Sequence, residues 1–268
     1  MAAMRSSNSE QIRVYFGKCW RIFKNENGWK VFISSAIITF LISCVTGSDM
    51  FREYRATRNG AFALVCACIW IGIFNSIQSV CKERDIIKRE HRSGMSVFAY
   101  VNAHALFELI QCLLEAVIVT LITLVFNSDN IPGSGVMLPV AIELTVTFFV
   151  IIFSSDMLGL MISCIVKTPQ TAMTVMPFVL ILQLIMSGMI FELKGFTEKV
   201  SYLMISKWGL NAICITANAN TLKGAAKNDD YIFEASNMLK MWGLPLVFAV
   251  VYIILGALFL SLVDRDKR

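Results

Sequence analysis

The sequence predicts an all-α integral membrane protein, and three observations carry this prediction. Apolar residues make up 56% of the 268 residues, whereas only 16% are charged. The apolar residues form long stretches, most of them near or above the ~20 residues that a helix needs to cross the core of a bilayer. The charged residues collect between these stretches, as is typical of segments at a membrane surface. This composition excludes an ordinary soluble globular domain.

An amphipathic helix is predicted ahead of the first long apolar stretch. From Gln11 to Lys24, apolar side chains recur at steps of three and four, with lysine and arginine between them. On a helix this pattern gives one apolar and one cationic face, which suits the headgroup plane of a bilayer. We therefore predict an interfacial helix over residues 11–27.

Six apolar stretches then predict six transmembrane helices. Lysine and arginine are more numerous in the segments that would face the cytoplasm if the amino terminus lies inside. We therefore predict one membrane domain, residues 1–268, with both termini cytoplasmic. The approximate bounds of the spans are 29–45, 61–80, 101–126, 136–166, 172–191 and 242–263.

Residues 192–241 are predicted to form an outer segment before the last span. Their first part carries apolar and aromatic residues at helical steps, but charged residues such as Glu198 and Lys207 disfavour a seventh span. We expect short re-entrant helices that dip into the outer leaflet, followed by a polar loop.

The motifs of common enzymes and of nucleic-acid-binding proteins are absent from the sequence. It has no GxxxxGK[ST] phosphate-binding loop, so ATP would not bind this chain by that route. The eight cysteines and two histidines lack metal-ligand or disulfide spacing. The net charge of +5 comes from basic residues near the predicted membrane boundaries rather than from a separate patch. We expect no cofactor or metal in this chain and no nucleic-acid partner.

The most highly charged stretch is Cys81–Gly94, which we call the charged hairpin. It lies between two predicted spans, and burying its charges in hydrocarbon would be costly, so it must lie at the membrane surface. Its pattern resembles the first intracellular loop of ABC exporter permeases of the ABCG-like, type-2 class. The resemblance implies that residues 82–94 dock on an ATP-binding subunit, whereas a basic topological anchor would explain the same charges. The residues that carry the resemblance are Glu83, Arg84, Ile87, Arg89, Glu90 and Gly94.

A second resemblance to the same family lies in residues 153–193. They look like its fourth span, a short inner turn, and a fifth span that ends in Ser-Gly and a bulky apolar pair. The resemblance implies that this pair, Met189 and Ile190, forms an exit plug in a dimeric permease. Each side chain of the implied central cavity would equally suit a lipid-facing or helix-packing position. The implied cavity residues are Trp70, Phe74, Asn75, Phe178, Ile181 and Leu182.

Acidic residues inside the predicted spans are a further unusual feature. Glu108 and Glu115 lie seven apart on one face of the third span, and Glu143 and Asp156 lie on the fourth. Ionisable groups at such depths face the interior of a helix bundle and are functional candidates. A polar relay, proton coupling and a structural hydrogen-bonded pair all fit this pattern. Asp156 also departs from the small or apolar residue that the family pattern leads us to expect.

These features favour a permease subunit of an ATP-driven ABC exporter in a bacterial plasma membrane. The resemblance implies a separate ATP-binding cassette subunit that binds ATP and Mg, and a second permease subunit, of the same chain or a related one. An apolar or amphipathic cargo and contacts with membrane lipid are expected. A channel or scaffold without an ATPase is the alternative. An intramembrane acid–base enzyme using Glu108, Glu115 or Asp156 is a weaker one, because the chain lacks a nucleophile–base pair.

Overall fold

The computed structural model describes residues 7–47, 49–191 and 193–262. The predicted cytoplasmic ends, 1–6 and 263–268, and Glu192 at the start of the outer segment lie outside these residues. The described chain is helical, with no strand beyond one isolated bridge between Glu53 and Lys223, which confirms the all-α prediction. Its α-helices are α1 (Asn8–Asn25), α2 (Lys30–Thr46), α3 (Tyr54–Ser76), α4 (Arg84–Arg92), α5 (Val97–Phe126), α6 (Val140–Ile165), α7 (Pro169–Ile185), α8 (Phe196–Ser201), α9 (Ile205–Thr216) and α10 (Ala235–Ser261).

The number of candidate membrane spans is four or five by length and composition. Four stretches within the described residues are long and apolar enough to cross a bilayer, and α1 with α2 passes the same test as a pair bent by 69°. The predicted count of six differs because α2 and α7 have only 17 residues each. The four stretches are Tyr54–Arg92, Val97–Phe126, Val140–Ile165 and Ala235–Ser261.

The bend between α1 and α2 has a local cause. Asn27 adopts a positive φ of 56°, and the ring of Phe23 fills the space that a side chain at Gly28 would need. The chain therefore turns sharply within three residues. At its other end α1 begins with a capping box, in which Ser7 and Glu10 satisfy backbone N–H groups of the first turn.

The centre of the fold is the contact between α3 and α6. A Cβ added at Gly72 would overlap the carbonyl oxygen of Ile152, and one at Gly159 would lie 2.8 Å from the carbonyl oxygen of Ile73. The Ser76 hydroxyl donates a hydrogen bond to a backbone carbonyl of α6. Small residues permit this approach, which membrane helices use because lipid tails provide no hydrophobic drive for helix association. α6 also packs against α5, α9 and α10 and is buried along most of its length.

The outer segment contains two short helices, and one of them is buried. α9 packs against α3, α6 and α10, and its Ser206 donates two hydrogen bonds to Gln183 near the end of α7, one from its backbone N–H and one from its hydroxyl. α7 contains Pro177, which has no N–H to donate to the preceding turn. The helix ends at Ile185, six residues before the predicted boundary, and the chain turns at Gly188 with a φ of 77°.

Replacing Gly159 with alanine is expected to destabilise the protein. The new Cβ would lie 2.6 Å from the Ser76 hydroxyl oxygen and close to the α3 backbone, and overpacking of this kind costs about 1–3 kcal/mol. Gly243→Ala in α10 is the matched control, because a Cβ there meets nothing within 4 Å. The measurement is the apparent Tm of the purified protein in detergent. A Tm for Gly159→Ala equal to that of Gly243→Ala would contradict the tight α3–α6 contact.

Candidate functional site

The charged hairpin folds as a 3₁₀ turn, Cys81–Glu83, followed by α4. The two sides of α4 have different environments. Ile87 is fully buried, whereas its neighbour Ile86 is 48% exposed. Asp85 and Arg89 are exposed beside Ile86, and we call these three residues the exposed face of α4. Of the six hairpin residues singled out from the sequence, Ile87 therefore lies in the core, and Ile86 is the apolar side chain at the surface.

The start of the hairpin is tied to the end of α6. The Arg84 guanidinium donates to the carbonyl oxygens of Cys164 and Val166, both at 2.9 Å. The Ser163 hydroxyl oxygen accepts from the backbone N–H groups of residues 80 and 81, both at 3.1 Å. The last carbonyls of a helix lack partners within it, so Arg84 caps α6. Arg84 is thus bound within the chain.

α1 holds the other side of the hairpin. Lys18 Nζ lies 2.7 Å from Glu83 Oε2, and the same oxygen accepts from the Tyr100 hydroxyl at 2.9 Å. The Tyr15 hydroxyl donates to Glu90 at 3.0 Å. Burial, reinforced by the Glu90 carboxylate, raises the pKa of Tyr15 to about 12, so the hydroxyl keeps its proton near neutral pH. Glu83 and Glu90 are therefore engaged by other parts of the same chain.

Gly94 lets the chain leave α4 toward α5. Its φ of 105° is accessible to glycine without strain, and a Cβ there would meet nothing within 4 Å. Two residues later, the backbone N–H of Ser96 donates to the Gln11 side chain of α1 at 2.8 Å. The sequence identified the hairpin and the amphipathic helix but not these contacts between them.

An exposed apolar face runs along α3 and α7. It includes five of the six residues that the family resemblance assigned to a central cavity. Asn75 differs, because it turns inward and donates to Glu115 Oε2 at 2.8 Å. Within one chain the other five side chains are between 45% and 70% exposed: Trp70, Phe74, Phe178, Ile181 and Leu182.

The pair Met189 and Ile190 lies in the irregular segment after α7. Met189 packs against the core, and Ile190 is exposed. Arg58 of α3 donates to the carbonyl oxygen of Gly188 at 3.3 Å, so the turn before this pair is fastened to α3. Sequence reasoning gave no signal for Arg58, which lies outside the motifs.

Three carboxylic acids come together between α5 and α6: Glu108, Glu115 and Asp156, which we call the acid cluster. Glu115 is fully buried and accepts hydrogen bonds from Ser35 of α2 at 3.0 Å and from Asn75. Among the described residues, no three or more His, Cys, Asp or Glu side chains are arranged so that they could hold a metal ion. The structure therefore brings together the three acids predicted from the sequence, from two different helices.

Two members of the acid cluster each have one carboxyl oxygen without a hydrogen-bond donor. Asp156 accepts from the Cys112 thiol through Oδ2, but its Oδ1 and the Oε2 of Glu108 are buried without a donor. The fourth acid, Glu143, provides the contrast, because it accepts from two backbone N–H groups and from the Thr216 hydroxyl at 2.7 Å. Glu143 is thus a satisfied structural group, whereas the acid cluster retains unpaired acceptor atoms.

A cavity of about 340 Å³ adjoins the acid cluster. It lies between α1, α2, α3, α5 and α7, and Glu108 forms part of its wall. Three phenylalanine rings and three amide side chains are among the other lining residues. We call this space the inner cavity.

The chain is similar to known membrane components of ABC transporters. Residues 10–217 match the family described as ABC-2 type transporter. The chain is 28% identical over 152 residues to the ABC transporter ATP-binding/permease protein Rv1747 of Mycobacterium tuberculosis. That match covers 56% of this chain but only 18% of the relative, so the chain corresponds to a small part of its length. Because the family match extends over most of the chain and includes the charged hairpin, the chain belongs to the ABC-2 type transporter family.

Proposed function

We propose that this chain is the permease subunit of an ATP-driven ABC exporter and works as a dimer with separate ATP-binding subunits. Family membership supports the role as the membrane component of an ABC transporter. The given sequence contains no GxxxxGK[ST] loop, so ATP and Mg would bind to the partner chain. The name of the mycobacterial relative joins ATP binding and permease in one protein. Here the two activities would be divided.

In this proposal α2, α3, α5, α6, α7 and α10 cross a bacterial plasma membrane, and both termini are cytoplasmic. The 17 residues of α2 and α7 are at the lower limit of length for a span. α1 would lie in the inner headgroup plane, since its bend from α2 aims it away from the span direction. Its exposed basic side chains would then meet lipid phosphates.

The observation that carries the proposal is the difference between the two sides of α4. One side is fastened to α1 and α6, whereas the other exposes Ile86 between two charged side chains. An exposed apolar residue in a charged surface fits a pocket of a partner protein, where such residues act as anchors. Movement of the ATP-binding subunits would push α4, and Arg84 would pass the displacement to α6. The ATP-bound subunits would thus bind one conformation of the permease more tightly than the other and shift the equilibrium between the two.

A second copy would cover the exposed apolar face of α3 and α7. Two such faces related by a two-fold axis would enclose a path for an apolar or amphipathic cargo. Met189 and Ile190 would close the outer end of this path, because they follow α7 directly. The hydrogen bond from Arg58 to Gly188 would hold the plug in place.

Charge reversal on the exposed face of α4 is expected to abolish retention of the ATPase. The variant is Ile86→Asp with Arg89→Glu, which replaces the apolar anchor and inverts a charge without touching the buried side. The measurement is the amount of cytoplasmic ATPase that co-purifies with the chain in nanodiscs, together with ATP turnover. We expect a loss of about tenfold or more, the effect of removing an interface anchor. Arg55→Glu is the control, since Arg55 is also exposed but lies at the far end of α3.

Glu83→Gln and Glu90→Gln test a different step. These variants remove the negative charges that face Lys18 and Tyr15 inside the chain and so weaken both contacts, and a folded variant should still retain the ATPase while coupling of turnover to transport weakens. A wild-type chain that purifies alone and stimulates no ATPase would contradict the proposal. That result would favour a channel or scaffold.

Cysteine cross-linking tests the dimer. Phe178→Cys is expected to give a cross-linked dimer with a short thiol-reactive reagent, because Phe178 lies on the face that would meet the second copy. Val125→Cys on α5 is the control, since Val125 is 72% exposed against 70% for Phe178 but lies on another helix face. Both variants carry Cys44→Ser to remove an exposed thiol. Equal yields at the two positions on a denaturing gel would argue against this dimer face.

A further inference from the structure

The inner cavity adjoins the path proposed between two copies but is a different space. That path uses the exposed faces of α3 and α7, whereas the inner cavity is bounded by five helices of a single chain, and Phe74 contributes to both. Its volume of about 340 Å³ lies within the range of small-molecule sites. No part of the proposed transport mechanism explains why the chain maintains this space.

One part of the cavity wall is aromatic. Phe23 of α1, Phe74 of α3 and Phe107 of α5 contribute rings. The rings of Phe23 and Phe107 meet edge to face, with centroids 5.6 Å apart. Such a surface takes up the apolar body of a ligand, and the ring faces also attract a cationic group.

The wall also contains polar side chains. Glu108 is 5% exposed and lines the cavity, and its Oε2 has no donor. Asn75 directs its N–H group to Glu115 rather than to Glu108. Gln78 and Gln111 add amide groups to this side. The wall therefore includes a buried carboxyl group that faces Asp156 and whose Oε2 accepts no hydrogen bond from an N–H or hydroxyl donor.

The charges around Glu108 are mostly negative. Asp156 and Glu115 lie behind it, and the ion pairs of Lys18 with Glu83 and of Arg52 with Asp49 do not involve the acid cluster. Of the basic residues at the wall, Lys82 is exposed to solvent and His104 belongs to a ring contact with Tyr100. A buried carboxylate without a cation or donor is unfavourable, so a positively charged group beside Glu108 would stabilise the site. An anionic ligand would be repelled.

We propose that the inner cavity binds an amphipathic organic cation, with its ammonium group on Glu108 and its apolar body against Phe23, Phe74 and Phe107. The wall includes Gly28 at the α1–α2 bend, so the site lies beside the interfacial helix, where amphipathic amines accumulate in a bilayer. That this cation is the transported cargo rests on the proposed function. That the cavity binds it can be tested without the ATPase.

The test compares three probes of one shape and different charge: 1-pyrenemethylamine, 1-pyrenemethanol and 1-pyrenecarboxylate. The purified chain in nanodiscs is titrated at neutral pH, and saturable energy transfer from tryptophan to pyrene is measured. We expect saturable binding of the amine, binding of the alcohol weaker by about tenfold or more, and no saturable binding of the carboxylate. The factor corresponds to one hydrogen bond to a charged group.

Variants then locate the cation. Glu108→Gln is expected to lower amine affinity by about tenfold, to the level of the alcohol. Glu115→Gln is the matched control, since it changes an acid of the same cluster at a residue outside the cavity wall, and amine affinity should fall less than in Glu108→Gln. Phe74→Ala, at an exposed position of α3, should weaken the amine and the alcohol alike.

Two results would overturn the inference. The first is equal affinity of the wild type for the amine and the alcohol. This is the result expected if Glu108 and Asp156, which face one another, share a proton and Glu108 does not bind the ammonium group. An amine preference that persists in Glu108→Gln would place the cation elsewhere. If Glu108→Gln does not fold, the wild-type preference and the effect of Phe74→Ala decide the question.

This experiment separates the inference from the proposed function. Amine binding by a chain that retains no ATPase would support the site and contradict the exporter. A retained ATPase without amine preference would support the exporter and remove the site.

Discussion

The close approach of α3 and α6 at Gly72 and Gly159 fixes the positions of the other functional elements. Lipid tails solvate apolar side chains as well as other helices do, so the contact depends on dispersion and interhelical hydrogen bonds that only a short distance allows. α3 leads directly into the charged hairpin, and α6 carries Asp156 and the end capped by Arg84. One interhelical distance therefore sets both the position of the charged hairpin and the back wall of the acid cluster.

Most helices could be predicted from the sequence because apolar runs of bilayer length have few alternative structures. The ends of the helices were harder to predict from the sequence. α7 ends at Ile185 because the chain turns at Gly188, and an apolar sequence continues past this point without a polar stop signal. Composition does not decide the number of spans either. α2 and α7 are short, and α1 with α2 passes the test for a span only as a bent pair.

The parts of the candidate site that lie within one sequence segment could be predicted. The contacts between two distant segments could not. The charged hairpin and the acids stand out because charge is rare in this chain. The contact of Lys18 with Glu83 joins residues 65 apart, and no local pattern specifies such a pairing. Periodicity did not choose between Ile86 and Ile87 on a nine-residue helix dominated by charge. Only tertiary packing shows that Ile87 is the buried member of the pair.

The cap that Arg84 forms on α6 has a mechanical consequence. Asp156 and Cys164 are eight residues apart on α6, about 12 Å along its axis. A helix transmits force along its length with little compression, so the hairpin and the acid cluster act as two ends of one rod. Coupling between two sites is reciprocal in free energy. A molecule that shifts α6 at Asp156 would therefore also displace α4, and it would change the affinity of a protein that binds α4 without touching that protein.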